Sequence, residues 1–389
     1  MEGTQARITE AEIITRARAM LPELRQRAAE VEALRRLPDD LNRAFAKAGF
    51  YKIMQPRHYG GLELDFGTQT ELGCELGRAC GSASWVATIT CCHAWLAGMF
   101  PKEAQDEVWG DDPDATLSSS FMAVGPQVER VPGGWRVSGR WKFSSGVDHC
   151  QWAAVMLPIP PKVNFALLRL AECRIEDVWH SVGLAGTGSN DIVAENVFLP
   201  EHRLLDTEAV KGGPTPGSAV NDHYLYRLPL LSPFTFNIVG NGLGLARGIA
   251  ETVIDGLQVQ KSRAGSPVAQ NQSIQLRVAE STAEIDAAHA LVFKDRDEIV
   301  RKGRANEPFT LADRVRYRRD VAFAGQLCVR AAERLFPILG ARGLMSDHPV
   351  QRAWRDLRAV SHHLAMTWDI QGSLYGAVIL GLPSPDPRI

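Results

Sequence analysis

From about residue 116 to residue 215 the hydrophobic pattern of the chain alternates residue by residue, whereas on both sides it recurs every three to four residues. The runs ATLSSSFM, QVERVPGGWRVSGRWKFSS, QWAAVMLPI, NFALLRL and DIVAENVFLP are short and separated by Pro, Gly and Asn. Such punctuation predicts a small antiparallel barrel or sandwich. The flanks predict helices. Residues 1–115 read as an α-helical N-terminal domain, 116–215 as a central β-domain and 216–389 as a C-terminal helical bundle.

Within the first region ITEAEIITRARAMLPELRQRAAEVEALRRLP is a helix broken at Pro38, and DDLNRAFAKAGF is a second one stopped near Gly49. After the turn-rich QPRHYGG, the apolar stretch TQTELGCELGRACGSASWVATITCCHAWLAGMF resumes the helical pattern. TEAVKGGPTPGSAVN reads as an exposed linker. Beyond it, GNGLGLARGIAETVIDGLQVQ, SIQLRVAESTAEIDAAHALVFKDRDEIVR and LADRVRYRRDVAFAGQLCVRAAERLFPILG are long enough to bundle. A final helix is predicted to run uninterrupted through QRAWRDLRAVSHHLAMTWDIQGSLYGAVILG.

A net charge of -2, with no arginine-rich run beside aromatics, argues against nucleic acid or an acidic membrane surface as partner. Seven cysteines are an odd count without a CxxC pair, so neither a disulfide framework nor a metal site is expected. The chain opens without a basic segment and apolar core, and no apolar run is long enough to cross a bilayer. A soluble, cytoplasmic protein is the expectation.

Two stretches carry candidate chemistry. RWKFSSGVDHC places Trp141 and Phe143 on one strand face, then ends in Ser144, Ser145 and Gly146. An aromatic edge followed by hydroxyls suits a flat, polar-rimmed heterocycle; it also suits a plain strand end at a turn. In WHSVGLAGTGSNDIVAENVFLP, Gly183, Gly186 and Gly188 alternate with Thr187 and Ser189. Glycines let backbone amides approach a ligand and hydroxyls add donors, but a Gly-rich hairpin loop has the same composition. No GK[ST] follows and no helix opens there, so it is neither a Walker loop nor a Rossmann turn. No GxSxG elbow supports a serine hydrolase.

On the predicted final helix the adjacent His362 and His363 point about 100° apart. Leu357, Val360, Leu364 and Trp368 make the apolar stripe. His362 falls with Arg355, Arg358 and Asp369, and His363 with Asp356, Thr367 and Ile370 on a less charged flank that suits a cavity wall. An imidazole there is a natural proton acceptor. His93, among Cys92, Ala94, Trp95 and Leu96, is either a core histidine or a ligand, and Ser118 to Ser120 mark a strand start. Tyr224, Tyr226 and Phe234 to Phe236 are placed at a substrate entrance.

RRLPDDLNRAFAKAGFYKIMQPRHYGG, GGWRVSGRWKFSSG, GLAGTGSNDIVAENVFLPEHRLL and ARGLMSDHPVQRAWRDLRA follow one another in an order and spacing that resemble the acyl-CoA dehydrogenase fold over nearly the whole chain. The resemblance implies an α-helical N-terminal domain, a central antiparallel β-domain and a C-terminal four-helix bundle, usually as a homotetramer. In many dehydrogenases a Glu after the RDAR-like motif removes the substrate proton; Leu364 stands here, although some dehydrogenases keep that base on another helix. GxWxFxSG, GTGS and a histidine after the RD motif instead resemble the oxygenase components of two-component flavin-dependent monooxygenases.

That likeness implies reduced flavin (FADH2 or FMNH2) delivered by a separate NAD(P)H-dependent flavin reductase, and molecular oxygen. It implies a C4a-hydroperoxyflavin that hydroxylates a phenol-, indole- or polycyclic-type aromatic. An acyl-CoA dehydrogenase, or an N- or S-oxygenating enzyme of the same fold, is the alternative. Residue by residue, Trp141 and Phe143 wall the flavin ring, with Ser144 among the cofactor contacts. Ser145 meets N5, Ser120 is a second hydroxyl near the oxygen-reactive side, and Thr187 and Ser189 lie near the ring. Lys261, Arg263 and Gln272 take the flavin phosphate, often across a subunit boundary, although Ala264 departs from the dehydrogenase R-x-x-FG pattern. His93 binds the polar group of the substrate, and His363 deprotonates or orients it.

Overall fold

The computed structural model describes residues 8–261 and 265–389. The chain begins with α1 (Glu10–Leu34), α2 (Asp39–Ala48), α3 (Gly67–Gly77), α4 (Gly81–Ala97) and α5 (Lys102–Trp109). Local sequence sets their ends. Thr9 caps α1 by accepting the Glu12 N–H, and Gly49 closes α2 at φ 85°, a left-handed conformation that glycine adopts without steric penalty. α4 has no polar face, because every residue from Gly81 to Ala97 is buried. Such a helix must be surrounded by other elements on all sides.

The strands are β1 (Leu117–Ser120), β2 (Met122–Val131), β3 (Gly134–Ser144), β4 (Trp152–Ile159), β5 (Lys162–Arg169), β6 (Cys173–Glu176), β7 (Asn190–Pro200) and β8 (Leu204–Asp206). They form two four-stranded sheets, β1-β4-β5-β8 and β2-β3-β7-β6. Val137, Trp141 and Ile192 of one sheet meet Val155, Leu157 and Leu168 of the other in a shared apolar core, which makes the unit a sandwich. One pairing departs from the all-antiparallel expectation, since β1 runs parallel to β4. The chain leaves β1 for the other sheet and returns only after β3, and such a crossover permits parallel pairing. β6 and β8 went unread because strands of four and three residues carry too little alternation.

Residues 207–221 are not the exposed linker their composition suggested. Gly217 N–H donates to Met99 O and Asn221 Nδ2 to Gly98 O, both at 2.9 Å. A Cβ on Gly217 would lie 2.0 Å from Gly98 O, so the small residues serve close packing against the end of α4.

The bundle comprises α6 (Phe236–Val259), α7 (Gln272–Arg304), α8 (Leu311–Leu335) and α9 (Pro349–Ser361), with the shorter α10 (Trp368–Ile379) against α8. α6 packs on α3 through Gly240, Gly244 and Gly248, where added Cβ atoms would sit 2.6, 2.6 and 2.5 Å from carbonyls of α3 and its C-cap. This close approach ties the N-terminal helices to the bundle.

The uninterrupted final helix is overturned. α9 stops at Ser361, and His363 is extended (φ -65°, ψ 140°) while its side chain accepts the Ala365 N–H. A short turn over Leu364–Met366 follows before α10 begins. Leu364, expected in an apolar stripe, is 54% exposed, whereas Ala365 and Met366 are buried. A side-chain cap of this kind competes with the helical ladder, and hydrophobic period alone does not register it.

Candidate functional site

The site is built along one face of α4. Trp85, Ile89 and His93 recur every four residues, so they share that face, and all three are buried. Trp85 Nε1 donates to Ser145 Oγ at 3.0 Å. The His363 ring packs edge-on against the same indole, with centroids 5.8 Å apart and an interplanar angle of 61°. The serine-tipped end of β3 and the histidine beyond α9 therefore meet at one side chain. Trp85 was missed from sequence; its four-residue spacing through Ile89 to His93 was the available signal.

Ser145 continues into a chain of hydroxyls. Its Oγ lies 2.7 Å from Ser189 Oγ, which lies 2.7 Å from Thr187 Oγ1, and Thr187 Oγ1 donates to Leu184 O at 2.8 Å. Gly146 N–H also donates to Thr187 O at 2.8 Å. The two stretches with candidate chemistry are thus one structure.

The glycine-rich loop is held from behind. Asp356 Oδ1 accepts the Leu184 N–H at 2.6 Å, Arg355 Nη1 donates to Val182 O, and Glu32 of α1 pairs with both Arg352 and Arg355. A Cβ on Gly183 would lie 2.2 Å from Arg355 O, and one on Gly186 would lie 2.3 Å from Val31 Cγ1. These glycines let the loop pack on α9 and α1. Asp356 is buried, and burial pushes its carboxyl up to about 7 against the opposing pull of the Leu184 N–H.

His363 Nδ1 accepts the Ala365 N–H at 3.1 Å. A neutral imidazole accepting at Nδ1 carries its hydrogen on Nε2. As a residue His363 keeps surface open to solvent, yet the protein packed around its imidazole pushes the pKa down to about 4, burial first and the Arg318 guanidinium second. Buried Arg318 donates to Gln371 Oε1 at 2.8 Å, and Gln371 Nε2 donates to Leu364 O at 2.8 Å, which fixes the turn. At neutral pH His363 therefore presents an uncharged Nε2–H, a hydrogen-bond donor.

His93 is engaged at both nitrogens. Nδ1 lies 2.8 Å from Leu117 O, which can only accept, so Nε2 accepts from Ser119 Oγ at 2.7 Å. Burial pushes its pKa down to about 4. Phe234 stacks on it at 6.0 Å and 21°. Ser119 Oγ, having given its proton to His93, keeps a lone pair to offer as an acceptor.

Other expected residues are placed differently. Trp141 is wholly buried inside the sandwich, where its Nε1 donates to Met156 O at 2.9 Å, so it cannot wall a bound ring. Phe143 does not share its face: the β3–β7 register shifts between Trp141 and Ser144, Phe143 takes φ 65°, and its half-exposed ring meets the edge of Trp179 at 5.9 Å. Ser120 Oγ has committed its proton to Lys142 O. Lys261 and Gln272 are exposed at the α6–α7 corner, with no hydrogen bond to the serine chain among the described residues, and Arg263 lies outside those residues. Of the aromatics expected at an entrance, Tyr226 donates to Met54 O at 3.2 Å and Phe236 packs on Phe66 at 5.6 Å, both in the core. Tyr224 donates to Asp65 Oδ1 at 3.0 Å, just ahead of α3, whereas Phe234 adjoins the site through its stack on His93.

These residues fit a flavin ring with a polar edge. Ser145 Oγ, which gives its proton along the chain toward Leu184 O and accepts from Trp85, retains one unfilled lone pair, and Phe143 with Trp179 offers aromatic surface at the same strand end, whereas Ser144, expected among the cofactor contacts, is wholly buried. Among the described residues no group of three or more metal-ligating side chains occurs, and no helix is long and apolar enough to cross a membrane.

Residues 9–111 match the acyl-CoA dehydrogenase N-terminal domain, and residues 237–368 match the acyl-CoA dehydrogenase C-terminal domain. The chain is 35% identical over 386 residues to the FADH(2)-dependent resorcinol hydroxylase, oxygenase component, of Rhizobium sp. (strain MTP-10005), covering 95% of this chain and 94% of that protein. It is 36% identical over 379 residues to the flavin-dependent monooxygenase, oxygenase subunit HsaA, of Mycobacterium tuberculosis, covering 95% of each. The crystal structure of the M. tuberculosis HsaA monooxygenase superposes with a TM-score of 0.92 at 33% identity, over 98% of this chain and 100% of that one. XiaF from Streptomyces sp., solved with FADH2 and glycerol, gives a TM-score of 0.90 at 27% identity over 98% of each.

Proposed function

Because the chain belongs to the oxygenase components of flavin-dependent monooxygenases built on the acyl-CoA dehydrogenase fold, we propose that it uses FADH2 and molecular oxygen to hydroxylate a phenol-type aromatic substrate. A separate flavin reductase supplies the reduced flavin, in keeping with the words "oxygenase component" and "oxygenase subunit" in the relatives' names. Bound reduced flavin supplies the oxygen activation, and the protein supplies binding, orientation and exclusion of water. The observation that carries this reading is the meeting of Ser145 and His363 at Trp85.

Ser145 holds the polar edge of the flavin, with Phe143 against its ring. His363 donates from Nε2 to the substrate oxygen, orienting a substrate that enters as its phenolate with its proton already given up to solvent water. This replaces the base role, for which a nitrogen already carrying hydrogen and a pKa near 4 are poorly suited. His93 acts through Ser119, whose hydroxyl it orients. Four copies assemble, and Lys261, Arg263 and Gln272 of a neighbouring copy take the flavin phosphate, in keeping with the exposure of Lys261 and Gln272. A dehydrogenase is disfavoured because Leu364 offers no carboxylate and sits on an exposed turn.

Replacing His363 tests the assignment. Loss of one hydrogen bond to a charged oxygen, about 1.5–3 kcal/mol, should cut product formed per flavin oxidised about 10- to 150-fold in His363→Ala. Flavin oxidation and peroxide release should continue. His363→Gln, which keeps an N–H donor, should recover most of the yield. An alanine variant with undiminished yield ends the assignment, and a glutamine variant as poor as alanine ends the donor role.

A further inference from the structure

We infer that Thr187 sets the direction of the hydroxyl chain ending at Ser145, and thereby makes the site select reduced over oxidised flavin. This rests on the reading that Ser145 meets flavin N5. Each hydroxyl has one proton to give. Leu184 O can only accept, and at 2.8 Å two oxygens without a proton between them would repel, so the Thr187 proton lies on that contact. Ser189 must then donate to Thr187, and Ser145 to Ser189. Trp85 Nε1 fills one lone pair of Ser145.

What remains on Ser145 is a lone pair and no proton. Reduced flavin carries hydrogen on N5, so donor meets acceptor. Oxidised flavin has a lone pair at N5, so acceptor meets acceptor. Thr187, Ser189 and Ser145 are only 1, 3 and 8% exposed, so bulk water does not reset the chain. An unfavourable buried polar contact is costly because no solvent compensates it.

Anaerobic titration of reduced FAD, and aerobic titration of oxidised FAD, against wild type, Thr187→Val and Thr187→Ser reads this out without turnover. Valine removes the anchor, so Ser189 can turn toward Ser145 and Ser145 can donate outward. The preference for reduced over oxidised flavin should fall about tenfold, mainly through tighter oxidised binding. The reduction potential of the bound flavin should drop by about 30 mV, the two-electron equivalent of tenfold. Thr187→Ser should restore both. If Thr187→Val fails to fold, Ser189→Ala cuts the same chain and carries the same expectation. A folded Thr187→Val with unchanged preference, or a serine variant that fails to restore it, overturns the polarity inference and leaves the flavin reading standing. Wild type that binds neither flavin form overturns both.

Discussion

Replacing Asp356 by alanine leaves the Leu184 N–H, buried and held at φ 53°, without its acceptor. An unsatisfied buried donor costs about 1–3 kcal/mol. Unfolding entropy is about 2.1 cal/mol/K per residue, so a chain of 389 residues should lose about 1–4 °C of Tm. The functional loss should be larger in relative terms. The loop bearing Thr187 and Ser189 is released from α9, and reduced-flavin affinity should fall about tenfold. Asp356→Asn keeps an acceptor oxygen and separates this contact from charge.

Burial raises the Asp356 pKa from 3.8 to about 7, so between those values the folded chain holds a proton that the unfolded chain releases. The stability contribution of this group is therefore fully present below about pH 4 and declines as pH rises to about 7. An asparagine, with no charge to bury, should match wild type at pH 4 and melt higher at pH 8. Thermal scans at both pH values, with flavin titration, check this. Alanine with unchanged Tm and flavin affinity, or asparagine as damaging as alanine at both pH values, would refute the reasoning.

Gly186→Ala should force the loop off α1, because its Cβ would lie 2.3 Å from Val31 Cγ1 and 2.7 Å from Val31 O. Overpacking of this kind costs about 1–3 kcal/mol, read as a lower Tm together with weaker reduced-flavin binding. His93 should make the protein acid-sensitive. Its pKa falls from 6.5 to about 4 on folding, so the stability it contributes above pH 6.5 is lost as pH drops toward 4. His93→Asn, which keeps a donor for Leu117 O, should flatten the slope of Tm against pH between 6.5 and 4.5.

The order of helices, sandwich and bundle was legible because each depends on period, which is a property of local sequence. The Ser145 and Thr187–Ser189 stretches were legible because strand ends and glycine loops announce themselves. Their union was not, since Gly146 N–H reaching Thr187 O is a long-range contact. Trp141 misled because alternation assigned Phe143 to its face, whereas a register shift and a positive φ turn Phe143 outward. His363 was read as a position within a helix, and the structure gives it another geometry. Its side chain ends the helix that was supposed to carry it, and that same hydrogen bond fixes which nitrogen bears the proton.

The most direct test supplies chemically reduced FAD to the purified chain under ¹⁸O-labelled dioxygen, with a panel of phenols, and follows the label by mass spectrometry. The account predicts a phenol that gains one labelled oxygen on a ring carbon, with product approaching the amount of flavin oxidised. Flavin oxidised entirely to peroxide across the panel, or label on nitrogen or sulfur of added amines or thioethers in place of ring carbon, would contradict it.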